Sequence, residues 1–124
     1  MTTFQTISYS IGHNVDDIPV PKTKSALIKA LQIELNNQYN KKLVVDGKWG
    51  PKTRAAIVNV KKGAKGNLTW ILQAALYTEG YSPGSLDSIF GKGTETALAK
   101  FQKARDISVD RNADKATFTE LFAG

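Results

Sequence analysis

The sequence predicts an all-α protein, a small helical bundle built from two fused helix–loop–helix repeats behind an extended N-terminal leader. Three observations predict it. Apolar residues recur at helical spacing, the pattern returns at a fixed offset of 41 residues, and the loops carry Asp, Gly and Pro where helices stop and start. The chain has 124 residues, room for one domain or two very small ones.

Residues 1–22 read as the leader. Ile7, Tyr9 and Ile11 alternate with Ser8 and Ser10, as a short strand or an interdomain linker would, and the linker is the expectation. Pro19 and Pro21 mark its end. The first repeat, 23–65, opens with Thr23 or Ser25 as a cap. Leu27, Ala30, Leu31 and Leu35 then share one helical face, and the helix fades near Asn36–Asn40. Val45-Asp46-Gly47 gives a turn. Gly50-Pro51 opens a second helix, since proline's missing N–H costs nothing at the first helical position. The second repeat, 66–124, starts with Asn67 as a cap. Leu68, Ile71, Leu72, Ala75 and Leu76 form its stripe, and Gly80 ends the helix. A further helix runs from about Thr94 to Arg105, and a last one starts near Asp114 with Phe118, Leu121 and Phe122 inward.

The repeat is read from an ungapped alignment. Leu27, Leu31-Gln32, Leu35, Asp46, Gly50, Thr53 and Ala56 meet identical residues at Leu68, Leu72-Gln73, Leu76, Asp87, Gly91, Thr94 and Ala97. These identities fall on apolar, glycine and turn positions, which favours duplication over coincidence. A shorter echo follows: Asp110 to Thr117 has the same spacing as Asp46 to Thr53 and Asp87 to Thr94.

Composition excludes several kinds of chemistry. Without cysteine there are no disulfides, thiolate metal sites or Cys nucleophiles. The single histidine, His13, leaves no multi-His metal site and no His-based triad within the chain. No convergent acid–base set stands out, so an enzyme is disfavoured and neither cofactor nor metal is expected. No run approaches the ~18 apolar residues of a membrane span. The first residues lack the basic start and apolar core of a signal peptide. The net charge of +6 is uneven: residues 25–65 carry +7, and residues 66–124 carry −1. A basic block of this kind suggests an anionic partner or only a well-solvated surface.

Together, Leu31-Gln32, Leu35, Val45-Asp46-Gly47, Trp49-Gly50-Pro51 and Thr53 resemble the type 1 peptidoglycan-binding domain. So do Leu72-Gln73, Leu76, Gly80-Tyr81, Leu86-Asp87, Phe90-Gly91, Thr94, Ala97 and Phe101-Gln102. The resemblance spans roughly 25–122. It implies a small helical module of the kind attached to amidases, muramidases, carboxypeptidases and phage endolysins. There are departures. Ser88 stands where the family has Gly after Asp, Lys92 replaces Pro, and Asp110-Arg111 replaces Asp-Gly. The first repeat has Val60-Lys61 in place of Phe-Gln and lacks its own third helix, so the two repeats are expected to share one core.

Within this pattern Asp46, Trp49, Asp87 and Phe90 read as turn and plug residues. Their equivalence in the repeats explains the two carboxylates better than glycoside hydrolysis does. Trp70, Gln73, Tyr77 and Tyr81 form a row beside the leucine stripe, and the repeat partners of Trp70 and Tyr77 are the polar Lys29 and Asn36. Such a row either stacks on sugar rings or packs against the first repeat or the leader. Lys48 and Arg54, with Lys29, Lys41, Lys42, Lys52, Lys61, Lys62 and Lys65, form a basic face suited to an anionic polymer by diffuse attraction.

The resemblance and these residues imply a non-catalytic module that targets a peptidoglycan hydrolase, in the form of a phage endolysin, to its substrate. Its partners would be peptidoglycan or an associated anionic wall polymer, and a catalytic hydrolase domain in the same parent chain. No membrane partner is expected. It would stay in the host cytoplasm until lysis and then act at the bacterial wall. The alternative is a small basic helical nucleic-acid-binding domain. The neutral second repeat and the lack of a recognition helix weigh against it.

Overall fold

Five helices organise residues 20–123, which the computed structural model describes: α1 (Val20–Tyr39), α2 (Pro51–Ala56), α3 (Asn67–Thr78), α4 (Lys92–Ala104) and α5 (Lys115–Phe122). The only extended pairing among these residues is two isolated bridges, Val60 with Ala113 and Lys65 with Ile89. The all-α expectation holds.

Helix α3 is the axis. Every residue from Leu68 to Leu76 is buried, because α1 packs on one side of it and α4 on another. One apolar core runs from Leu27 in α1 to Phe122 in α5 and draws on both repeats. The first repeat lacks its own third helix, and α5 packs against α2 in its place. Trp49 stacks on Phe122 with ring centroids 6.0 Å apart, and Phe122 in turn stacks on Phe118.

Several boundaries differ from the sequence expectation, each for a local reason. Helix α1 is already helical at Val20, the first described residue, inside the expected leader and ahead of Thr23 and Ser25. Ile7, Tyr9, Ile11 and His13 lie outside the described residues. Helix α3 is preceded by Gly66, whose φ of +116° suits glycine, and no side chain caps it. Asn67 instead donates its amide to buried Glu34 at 2.9 Å, tying the start of α3 to α1.

Helix ends follow the expected chemistry more closely. Gly80 (φ +93°) closes α3: Tyr81 N–H donates to Leu76 O at 2.8 Å and Gly80 N–H to Tyr77 O at 3.0 Å, the two bonds of a Schellman cap. Asp114 caps α5 by accepting the Thr117 N–H at 3.0 Å. At one end of the bundle Arg105 donates to Glu79 at 2.7 Å, lies 3.5 Å from Glu120, and covers the Phe101 ring.

The residues after α2 do not continue as helix. The chain turns out at Ile57 (ψ 136°), is extended at Val60, turns at Lys62-Gly63 (Gly63 φ +97°) and continues to Gly66, pairing along the way with the loops that follow α3 and α4. The basic connector is therefore a structural strap.

Candidate functional site

Each loop is locked by a buried glutamine. Unit one is α1, its loop and α2; unit two is α3, its loop and α4; unit three is α4, its loop and α5. Gln32 Nε2 donates to Asp46 Oδ1, Lys48 O and Thr53 Oγ1 at 3.0–3.1 Å, and its Oε1 accepts the N–H groups of Asp46 and Gly47. Gln73 does the same with Asp87, Ile89 O and Thr94, and accepts the Ser88 N–H. Gln102 repeats it with Asp110, Asn112 O and Thr117, and accepts the Arg111 N–H. The short echo at 110–117 is thus a complete third lock.

The locks explain the aspartates. Asp46 accepts the Lys48 N–H and the Gln32 amide, and these bonds hold its carboxyl below its ordinary range. Asp87 is lowered likewise by the Ile89 N–H, the Gln73 amide and the Ser85 hydroxyl. Both carboxylates act as turn acceptors, as their repeat equivalence predicts. The locks also explain a departure from the family pattern. The residue after each aspartate lies in the left-handed region: Gly47 at φ +73°, Ser88 at +68° and Arg111 at +61°. Glycine fits without strain, whereas Ser88 and Arg111 are held there by the glutamine.

An opening lies over the loop of unit one. It is a shallow groove of about 590 Å³ lined by Leu43, Val44, Lys48, Trp49, Pro51 and Lys52 above the Gln32 lock. Val44 is 75% exposed, and Trp49 is half-buried with Phe122 behind it. The Asn36 side chain clamps Leu43, accepting its N–H at 2.6 Å and donating to its carbonyl at 2.9 Å. This fixes one wall of the groove. A second, more polar hollow of about 450 Å³ lies between Lys62, Lys92, Glu95, Lys100 and Arg111.

The six residues singled out from sequence are not brought together. Trp70, 5% exposed, belongs to the core, and Gln73 is fully buried as a lock. The expected open aromatic row is therefore absent at these two positions: α3 is covered on two sides, so the face beside its leucine stripe is interior as well. Tyr77 is 36% exposed, and half-buried Tyr81 packs edge-on against Phe101. Exposed Arg54 leans toward α5, its Nε donating to Thr119. Lys48 alone of the six lines the groove. Sequence reasoning missed Leu43, Val44 and Pro51 and took Trp49 for a plug. A signal was present: Leu43-Val44 meets Gly84-Ser85 in the repeat, so apolar residues stand in one loop where the other has none.

A repeated helix–loop–helix unit with locked loops and an open apolar groove defines a small binding module. The family model for peptidoglycan-binding domains of type 1 matches residues 65–121, and this part of the chain, units two and three, belongs to that family. Two curated relatives, both from Bacillus subtilis (strain 168), are similar over a longer stretch. The uncharacterized protein FadG is 36% identical over 92 residues, covering 70% of this chain and 15% of its own length. The uncharacterized protein YbfG is 34% identical over 86 residues, covering 66% of this chain and 11% of its own length. The chain thus spans a small fraction of these relatives.

Proposed function

We propose that the chain is the non-catalytic wall-binding module of a peptidoglycan hydrolase, a phage endolysin being the form we favour. In this reading it recruits a catalytic domain of the same parent chain to peptidoglycan and raises that domain's effective concentration there. The observation that carries the reading is the groove of unit one: apolar in its walls, rimmed by Lys48 and Lys52, and mounted on a chain whose other units belong to a peptidoglycan-binding family. The +7 charge of residues 25–65 adds a general attraction for the carboxylates and phosphates of the wall.

Purified sacculi and DNA-cellulose, each challenged with the chain at low and high salt, test the reading. Retention on sacculi at both salts is expected. Retention on DNA-cellulose alone, lost at high salt, would favour the nucleic-acid alternative and overturn it. The purified chain is expected to leave the turbidity of a wall suspension unchanged, and clearing that tracks the chain would show catalysis.

A further inference from the structure

The three loops differ at one backbone position, three residues past each locked aspartate. In unit two this residue is Phe90, whose N–H donates to Ala64 O at 2.9 Å and whose carbonyl accepts the Gly63 N–H at 3.0 Å. In unit three it is Ala113, which exchanges both bonds with Val60, at 2.8 and 2.9 Å. In unit one it is Trp49, and no backbone group among the described residues pairs with it. The cause lies in the path of the chain. The connector serves both of these units, unit three at Val60 and unit two at Gly63-Ala64. By the repeat offset, the residues matching Gly63-Ala64 are Lys22-Thr23, and these lie inside α1. A helix has no free edge to offer a loop.

We propose that the backbone edge at Trp49 takes an extended, carboxylate-bearing peptide, so that the chain recognises the peptide arm of the wall polymer and not its glycan. This rests on the wall-binding reading above. The fold itself supplies the template: twice it satisfies this position with one N–H and one C=O from the connector, in unit three from a single extended residue, Val60, and in unit two from the turn at Gly63-Ala64. An added strand would do the same in unit one. Its side chains would meet Leu43, Val44 and Pro51, which line the groove beside the edge. Its carboxylate would meet Lys48 and Lys52, both exposed on the rim. The Asn36 clamp on Leu43 holds that wall in place before the peptide arrives, which lowers the ordering cost of binding.

The full chain, labelled for amide NMR, is titrated separately with a free stem pentapeptide and with peptide-free glycan strands. The pentapeptide is expected to shift the amide signals of Lys48, Trp49 and Gly50 and to slow hydrogen exchange at Trp49 about tenfold, with Phe90 and Ala113 unmoved. The glycan is expected to shift none of them. Val44→Glu sets a like charge against the peptide carboxylate, and an exposed position should tolerate it; it is expected to weaken pentapeptide binding about fivefold with the thermal midpoint unchanged. The proposal is overturned if the Trp49 amide is already protected in the free chain, since another part of the chain then fills the edge. It is also overturned if glycan moves these signals and pentapeptide does not, or if Val44→Glu binds as the parent does. Sacculus retention without any pentapeptide response sinks this proposal and leaves wall binding standing. Loss of sacculus retention removes both.

Discussion

Among the described residues, units two and three close their loops twice, and unit one closes its loop once. All three are locked from inside by a buried glutamine that holds an aspartate, a backbone carbonyl and a threonine. Among the described residues, only units two and three are also sealed from outside, by the connector that pairs with Phe90 and Ala113. The internal lock sets the loop's shape. The external pairing decides whether that shape is available to anything else. The same local chemistry thus yields two structural loops and one open loop, and the difference lies in where a neighbouring segment runs.

The largest effect is expected at the residue that most sharply separates core from site. Trp70→Ala should cost about 3–5 kcal/mol in urea unfolding, because it removes a large side chain from a packed interior. The fraction that remains folded should bind sacculi normally. A folded Trp70→Ala variant that fails on sacculi would return Trp70 to the site.

Next come the locks themselves. Gln73→Ala and Gln102→Ala each strand a buried threonine hydroxyl and backbone groups, at about 2–4 kcal/mol. Gln32→Ala should cost less, about 1–2 kcal/mol, because the loop of unit one can relax into solvent, yet it should abolish the groove. Equal losses at all three glutamines would break the distinction between sealed and open loops.

The turn residues give smaller effects of opposite sign. Gly47→Ala forces a side chain into the left-handed region and sets its Cβ 2.6 Å from Ser25 Oγ, so a loss of about 2 kcal/mol is expected. Ser88→Gly and Arg111→Gly relieve the same strain and should each add up to about 1 kcal/mol, measured as a rise in the urea midpoint. Stabilisation at neither position would mean that the glutamine bond already offsets the strain.

Acid should act through the same locks. The carboxyls of Asp46 and Asp87 are held below their ordinary value of 3.8, so the unfolded chain binds protons more readily than the folded one. The stability they contribute is present above that value and is lost as pH falls through the lowered folded values. The thermal midpoint should be level from about pH 7 to 5 on this account and fall below about pH 4. Asp87→Asn should flatten part of that fall, and an unchanged acid profile would show that the locks are not its source.

The smallest effect is electrostatic. Neutralising Lys41, Lys42 and Lys48 together should weaken sacculus binding at low salt and hardly at high salt, since exposed charges are screened over about 8 Å at physiological ionic strength. Equal weakening at both salts would make these lysines specific contacts.

The amino-acid sequence by itself determined the helices, the repeat and the turns, because these depend on periodicity and on residues close along the chain. Leu68 to Leu76 reads as a helix, Gly80 as its end, Asp114 as the neighbourhood where the last helix starts, and Asp46 and Asp87 as turn residues, and the structure agrees at each. It misled at Trp70, whose polar repeat partner Lys29 suggested an open face. That inference assumed that equivalent helices have equivalent surroundings, but α3 lies between α1 and α4. Tertiary structure alone decided which faces were covered, that Phe122 of α5 backs Trp49, and that the connector pairs with two of the three loops. Those outcomes depend on contacts between segments far apart in the chain, and neither helical periodicity nor turn chemistry carries information about what packs on the other side.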